Sequence, residues 1–253
     1  MTASNPGKPL SHKGISYTIM VSRRAKYARL KMSPHVGLVV VVPVGFDKKL
    51  VAGIVESRRE WIEKVQQTFE SCRLPVVAGN EGALPVVIDL AGIGESWRIS
   101  YHADGNSRLA AKETDGGELI ISGPVHEHER CHDMLCLWLK RRATLKLAPQ
   151  LMRLASVHGF KVSNVTVRKQ RSRWGSCSTR GTVNLNLNLV FLPPLLVRYI
   201  LVHELCHTLH MNHSKQYWSE VARYDPDYLE HDREIRHAWR FIPTWANAHD
   251  RTR

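Results

Sequence analysis

Two histidines four residues apart, with a glutamate directly after the first, constrain this chain more than any other feature. In the run His203-Glu204-Leu205-Cys206-His207, both imidazoles lie on one face of a helix, because residues i and i+4 are about one turn apart. Two imidazoles in that arrangement can bind one zinc ion, and the glutamate can take a proton from a water beside it. A catalytic zinc has three protein ligands and an open position. The run therefore predicts a zinc-dependent hydrolase site with His203 and His207 as ligands and Glu204 as the base.

The residues before the run predict a helix that carries it. Pro193-Pro194 can begin a helix, since the first turn needs no N–H donor there. From Leu195 to Leu209, apolar residues recur at roughly helical spacing. Asparagine tolerates the left-handed conformation that ends helices, so we expect the helix to end near Met211-Asn212.

The third metal ligand is less constrained by the sequence. His213 follows His207 by six residues and can fold back onto the metal if the helix ends between them. His210 lies about 10 Å along the axis from His203 if the helix stays straight, which is too far for one ion to bind both. We therefore favour His213, with His210 or a carboxylate such as Glu230 or Glu234 as the alternatives.

A strand and a loop precede the metal helix. Residues 181–190 alternate between apolar and polar side chains, which predicts a strand with one polar face. Such a strand can bind an extended peptide along its edge, with Asn184 and Asn186 contacting the substrate, or its polar face can simply be solvated. Arg173 and Trp174 have loop neighbours and are predicted to line the cleft. Arg173 can stabilise an oxyanion or bind an anionic group, or it can pair with a structural carboxylate.

A resemblance to a known family rests on four segments of the sequence. These are Arg173-Trp174-Gly175-Ser176-Cys177-Ser178, Asn184-Leu185-Asn186, His203-Glu204-Leu205 with His207, and Met211-Asn212-His213-Ser214 with Trp218. With them the chain resembles the YgjP-like metal-dependent hydrolases over about residues 15–235. That family belongs to the zincin metallopeptidases and is related to the SprT and WLM proteases.

The resemblance implies a zincin fold, zinc bound by histidines 203, 207 and 213, and Glu204 as catalytic base. Family members are described both as peptidases and as a nucleotide pyrophosphatase. A phosphoanhydride substrate would favour magnesium and carboxylate ligands, which three histidines do not suit. The leading hypothesis is thus a zinc-dependent metallopeptidase acting on proteins or peptides, and the alternative is a metal-dependent nucleoside triphosphate pyrophosphatase.

The pattern of elements predicts an α+β fold in two domains after a disordered N-terminus. Residues 1–14 are expected to be disordered, residues 15–122 to form a β-rich domain, and residues 123–253 to form a zincin-like metallopeptidase domain with the active-site helix. We recognise no internal repeat in the sequence.

A net charge of +13 is the second functional clue. Basic residues cluster at 23–31, 140–142, 168–173 and 233–240. Such clusters predict attraction of nucleic acid, although a solvated basic surface gives the same composition. The sequence has no apolar stretch long enough to span a membrane and no signal-peptide pattern at its start, so we expect a cytoplasmic protein.

Overall fold

The computed structural model of the 253-residue chain describes residues 10–23, 25–33, 37–71, 83–170 and 172–247. It shows a mixed α and β architecture, as the sequence predicted. The chain divides into two compact units, residues 1–76 and 77–253. The histidine run lies in the second unit.

The first unit is a four-stranded sheet followed by two helices. Its strands have the order β1-β2-β4-β3, with β2 and β4 parallel and the outer pairs antiparallel. Alternate apolar side chains of β4 and the buried faces of the helices form its core. The elements are β1 (Leu10–His12), β2 (Ile15–Ser22), β3 (Arg29–Ser33), β4 (Gly37–Pro43), α1 (Val51–Ser57) and α2 (Arg59–Ser71).

The second unit begins with another four-stranded sheet and a 31-residue helix. The helix packs on the sheet through Trp138, whose ring meets Trp97 edge to face at 5.5 Å, and through Arg142, which pairs with Glu95 and Glu113. The elements are β5 (Val87–Leu90), β6 (Glu95–His102), β7 (Ala110–Glu113), β8 (Glu118–Ser122) and α3 (His128–His158).

The two four-stranded sheets have the same topology. In the second the order is β5-β6-β8-β7, again with a parallel central pair and antiparallel outer pairs. In both, the four strands are followed by helix. The structure thus contains a repeated strand arrangement that the sequence did not reveal, because matching strands differ in their side-chain pattern: β4 is buried at five successive positions, whereas its counterpart β8 alternates.

The rest of the second unit builds the site. A three-stranded sheet has the order β10-β11-β9, with β10 antiparallel and β9 parallel to the central β11. Four helices follow it, and one continuous apolar core joins them to α3 and the second sheet. The elements are β9 (Asn164–Arg168), β10 (Gly175–Cys177), β11 (Thr182–Asn186), α4 (Pro194–Cys206), α5 (Lys215–Tyr224), α6 (Tyr228–Ile235) and α7 (Thr244–Asn247).

Two sequence expectations differ from this architecture. Disorder was expected over residues 1–14, but residues 10–12 form β1 and pair with β2; residues 1–9 lie outside the described residues. A boundary was expected at 122–123, whereas the compact units divide at 76–77. The reason is that residues 15–122 contain two sheets, and the second shares its core with α3. Independent folding of residues 15–122 and 123–253 stays a prediction.

None of the helices in the described part of the chain is both long and apolar enough to cross a bilayer.

Candidate metal centre

Helix α4 and the turn after it bring three histidines together. Pro193 occupies the N-cap position and Cys206 is the last residue of the helix, so His203 lies in its final turn and His207 just past it. The helix ends earlier than the predicted Met211-Asn212, because the amides of Thr208 and Leu209 bond carbonyls only three residues back and tighten the chain into a turn. This early turn returns the chain so that His213 faces the helix.

The three imidazoles converge on one point. One ring nitrogen from each of His203, His207 and His213 lies within 4.8 Å of the other two. The Nε2 atoms of His203 and His213 are 3.2 Å apart. Two ligands of a tetrahedral zinc are separated by about 3.3 Å, given zinc–nitrogen distances of about 2.0–2.1 Å. The spacing of this pair fits a shared zinc ion.

The free lone pairs also suit a metal. His207 Nδ1 lies 3.0 Å from the His210 carbonyl oxygen, which can only accept a hydrogen bond. Nδ1 therefore carries the hydrogen, and Nε2 keeps a lone pair for a ligand. His203 faces His213 through its Nε2 atom, and its other ring nitrogen, Nδ1, is buried without a hydrogen-bond partner among the described residues. The donor set of three imidazoles is one that zinc accepts readily, so the residues fit this metal.

Burial keeps two of these imidazoles in the form that binds metal. Desolvation, together with the neighbouring His207 and His213, lowers the pKa of His203 from 6.5 to about 3. Desolvation likewise lowers the pKa of His207. A neutral imidazole is the ligand form, so proton competition at these two positions is weak near neutral pH.

Two aromatic residues, Tyr217 and Trp218, hold the histidines in place, a role that the sequence analysis assigned to neither. Tyr217 is fully buried; its ring stacks on His207 with centroids 4.6 Å apart, and its hydroxyl donates to the His203 carbonyl oxygen at 3.0 Å. Trp218 stacks on His213 at 5.5 Å. Both follow His213 by about one helical turn, at i+4 and i+5, and this spacing is the signal that could have identified them.

Glu204 is buried next to the histidines, against strand β10. Its side chain is only 4% exposed, and its Oε2 atom has no hydrogen-bond partner within the described residues. A Cβ atom at Gly175 would lie 2.5 Å from Glu204 Oε1 and 2.6 Å from its Cγ. Only glycine therefore allows the carboxyl to lie against the strand here, which gives a steric reason for Gly175 that the sequence alone did not.

The electrostatics of Glu204 are set by burial and opposed by one arginine. Desolvation raises the pKa of its carboxyl from 4.5 to about 8, while the charge of Arg173 acts to lower it. Arg173 is exposed and lies just before β10, so its guanidinium is open to solvent and acts electrostatically on the carboxyl.

The other predicted substrate contacts have different surroundings. Asn186 is fully buried, and its Nδ2 donates to the carbonyl oxygens of Gln170 and Arg173 at 2.8 and 2.7 Å. Trp174 is 8% exposed; its Nε1 donates to the Ile235 carbonyl oxygen. Both side chains thus hold the loop that carries Arg173, and their positions offer a substrate little surface, contrary to the sequence expectation.

Asn184 belongs to a polar row across the three-stranded sheet. Its Oδ1 accepts from the Thr166 hydroxyl at 2.6 Å, and its Nδ2 lies 3.4 Å from the Ser176 hydroxyl oxygen. Strand β11 is central, with β9 and β10 bonded to its two sides. The strand edge expected to bind a peptide is therefore not that of β11. Strand β10 is the edge strand on the side of Glu204.

The alternative third ligands lie outside the histidine group of the described residues. His210 contributes its carbonyl oxygen to His207. Glu234 pairs with Arg240, and Glu230 is exposed on α6. Ligation by His213 stays a prediction that this geometry favours over the others.

Part of the basic character of the chain is used internally. Arg142, from the predicted cluster at 140–142, is bonded to two glutamates and lies over the Trp97 ring. Arg236 and Arg240 pair with Asp232 and Glu234. Binding of nucleic acid stays a prediction.

Comparison with known proteins places this site in context. The family model described as a YgjP-like metallopeptidase domain matches residues 26–238. Among solved structures, the crystal structure of the metallopeptidase zymogen of Pyrococcus abyssi abylysin is 25% identical, with a TM-score of 0.32; the match covers 35% of this chain and 90% of that chain. No curated protein matches the sequence.

Proposed function

This chain belongs to the YgjP-like metallopeptidase family, and from that premise we propose that it is a zinc-dependent peptidase. In this proposal His203, His207 and His213 are the metal ligands and Glu204 is the catalytic base. The observation that carries the proposal is the convergence of three imidazole nitrogens within 4.8 Å beside a buried carboxyl group.

Zinc is the metal that best suits the donor set. Three imidazoles and no carboxylate in the group favour zinc over magnesium, which prefers oxygen ligands. When bound, zinc supplies Lewis-acid chemistry that polarises a scissile carbonyl and makes a nearby water more acidic. Burial favours the neutral form of His203 and His207, and the rings of Tyr217 and Trp218 hold His207 and His213.

Glu204 moves the protons of the reaction. Its carboxylate takes a proton from the attacking water and later gives it to the departing amine, and both transfers are efficient when the pKa is near the working pH. The burial that raises this pKa and the opposing charge of Arg173 both tune it. In this proposal Arg173 also stabilises the negative charge that develops on the substrate oxygen.

Strand β10 supports a path for the substrate. Its residues pair with β11 on one side only within the described structure, so its other edge has main-chain groups that an extended peptide can bond. Gly175 begins this strand and touches Glu204. A peptide added to β10 would pass over the carboxyl group, and recognition through main-chain bonds would give little sequence specificity by itself.

Peptide hydrolysis by matched variants tests the proposal. Wild type should cleave casein, lose activity with a chelator and regain it with zinc. Glu204→Gln should reduce the rate by about 10²-fold or more with zinc retained, whereas Glu230→Gln, which changes an exposed carboxylate on α6, should behave as wild type. Equal activity in wild type and Glu204→Gln would refute the proposal. Hydrolysis of UTP that depends on Glu204, without cleavage of casein, would favour the pyrophosphatase.

A further inference from the structure

A pocket next to the histidines has no role in the chemistry above. It has a volume of about 140 Å³ and is lined by Trp218 of α5 and by Tyr228, Leu229 and Asp232 of α6. A cavity of about 150 Å³ can hold a benzene molecule. The pocket is therefore large enough for one amino acid side chain.

The pocket lies one ring away from the proposed metal ligands. The Trp218 ring stacks on that of His213 with centroids 5.5 Å apart, and the centroid of the Trp218 ring is 6.0 Å from that of the His203 ring. The Tyr228 ring also stacks on Trp218, at 5.4 Å with an interplanar angle of 21°. A side chain that enters the pocket would therefore belong to a substrate residue close to the bond that is cut.

The lining combines aromatic rings with a carboxylate. Asp232 accepts a hydrogen bond from the Tyr199 hydroxyl at 3.0 Å and one from Arg236, and its side chain is 26% exposed. An ionised carboxylate has about four acceptor positions, so these two bonds leave room for another donor. Arg236 is 68% exposed, and exposed ion pairs of this type are weak. Arg236 therefore competes little with a cation in the pocket for the Asp232 carboxylate.

The local charge favours a cation as well. Residues 225–236 contain five carboxylates and two arginines, Arg233 and Arg236, although the net charge of the chain is +13. Three of these carboxylates pair with His231, Arg236 and Arg240, and those of Asp227 and Glu230 add to the local negative charge. An ammonium or guanidinium group gains from aromatic faces and from a carboxylate together. An aliphatic side chain would instead displace water from the carboxylate with nothing in return.

We propose that this pocket is a specificity subsite that binds the lysine or arginine side chain of a substrate residue near the scissile bond. The inference rests on the proposed peptidase function. It adds side-chain selectivity to the main-chain binding along β10, and it assigns Asp232 as the residue that determines this selectivity.

Cleavage of matched peptides tests the subsite. Peptides that differ only in carrying lysine, methionine or glutamate, at each of the three positions on either side of the cut, would be compared by kcat/KM. We expect wild type to prefer lysine over methionine by about tenfold or more at one position, and to disfavour glutamate there. The quantity compared is the ratio of kcat/KM between two peptides for the same protein, so a variant that is less active overall can still be compared with wild type.

Variants locate the selectivity in the pocket. Asp232→Asn keeps an acceptor for Tyr199 and removes the charge, and Leu229→Lys adds a cation at a position that is 61% exposed and should not affect folding. Both should bring the lysine-to-methionine ratio close to one. Leu195→Lys is the matched control, since Leu195 is 64% exposed on α4 and does not line the pocket; it should keep the wild-type ratio.

A binding measurement removes turnover from the test. Titration calorimetry of Glu204→Gln with the lysine and methionine peptides should show the same preference, and adding Asp232→Asn should abolish it. If wild type cleaves peptides with no preference for lysine, or with a preference that Asp232→Asn and Leu229→Lys leave unchanged, the subsite is overturned and the peptidase stands. If wild type cleaves no peptide, the peptidase proposal falls and the subsite with it.

Discussion

At the scale of single residues, the site depends on a carboxyl group buried against a glycine. The sequence predicted Glu204 as the base from its place between two histidines, because helical spacing alone brings it near the metal. It could not predict that Gly175 makes room for it, since the two are 29 positions apart in the chain and meet only through the packing of β10 on α4. The burial of Asn186 was not predictable either. Alternation of apolar and polar residues predicts that the polar side chains face solvent, whereas Asn186 bonds carbonyl oxygens of a loop that packing brings to it.

The pKa of Glu204 makes the stability of the metal-free protein depend on pH. Its pKa is raised from 4.5 to about 8 on folding, so between these values the folded state binds more protons than the unfolded state. The free energy of unfolding should therefore fall as pH rises through this window, on the order of a few kcal/mol in total. In Glu204→Gln this contribution is absent. Chemical denaturation of both proteins with chelator at pH 5 to 8.5 measures the difference; parallel profiles would contradict the raised pKa.

Replacing Gly175 tests the contact with the carboxyl. In Gly175→Ala the added methyl would lie 2.5–2.7 Å from three atoms of Glu204, so the side chain or the strand must shift. We expect a loss of about 1–3 kcal/mol in stability and at least a tenfold fall in kcat, because a base displaced by about 1 Å is poorly aligned. Zinc content should not change.

The matched control for this change is Gly53→Ala. A Cβ at Gly53, inside helix α1, meets nothing within 4 Å, and alanine is the better helix former by about 1 kcal/mol. Its activity should equal that of wild type. A Gly175→Ala protein as active and stable as Gly53→Ala would show that the contact is unimportant.

At the scale of elements, the candidate metal centre is made by α4, the turn after it and α5. The histidine spacing predicted that His203 and His207 lie on one face of a helix; in the structure His203 is in the last turn of α4 and His207 is the residue just after it. The early end of α4 was not predictable, because it depends on i→i+3 hydrogen bonds that no residue type in the turn specifies. The order of the three-stranded sheet was also beyond the sequence: alternation identifies a strand, but whether β11 lies at the edge or in the centre depends on which strands pair with it.

Tyr217 links α5 to α4 through two contacts, a hydrogen bond to the His203 carbonyl oxygen and a ring stacked on His207. Two substitutions separate their effects. Tyr217→Phe keeps the ring on His207 and loses only the bond to the His203 carbonyl, so it should cost about 1 kcal/mol in stability and leave the zinc affinity near that of wild type. Tyr217→Ala also removes the stacked ring, so it should cost about 3–5 kcal/mol and weaken zinc binding by about 10–100-fold. Competition with a chromophoric chelator gives both affinities. Equal affinities for the two variants would mean that the ring does not position the histidine.

At the scale of the whole molecule, the chain contains two sheets of one topology in two compact units. The mixed fold class followed from the sequence, since strand and helix periodicities are local properties. The division at residues 76–77 did not, because a run of strands gives no indication of which helix each sheet packs against. The contacts of Trp97 with Trp138 and Arg142 supply that information, and Trp97 lies about 40 positions before those two residues in the sequence.

Fragments of the chain distinguish the boundary at residues 76–77 seen in the structure from the boundary at 122–123 predicted from the sequence. Residues 77–253 contain the second sheet, α3 and the whole histidine site, so this fragment should unfold cooperatively and bind zinc. Residues 123–253 lack the sheet whose Trp97 packs on Trp138, so exposed apolar surface should leave the fragment without a cooperative transition. Circular dichroism during thermal unfolding reports both results. A stable, zinc-binding fragment 123–253 would support the boundary predicted from the sequence.

The zinc content of three purified proteins tests the central claim most directly. Wild type should contain about one zinc per chain, and His213→Ala should lose most of it, because the imidazole 3.2 Å from that of His203 is removed. His210→Ala, which changes a histidine three residues away and keeps the carbonyl that His207 bonds, should retain the metal. Full zinc in His213→Ala, or its loss in His210→Ala alone, would contradict the site described here.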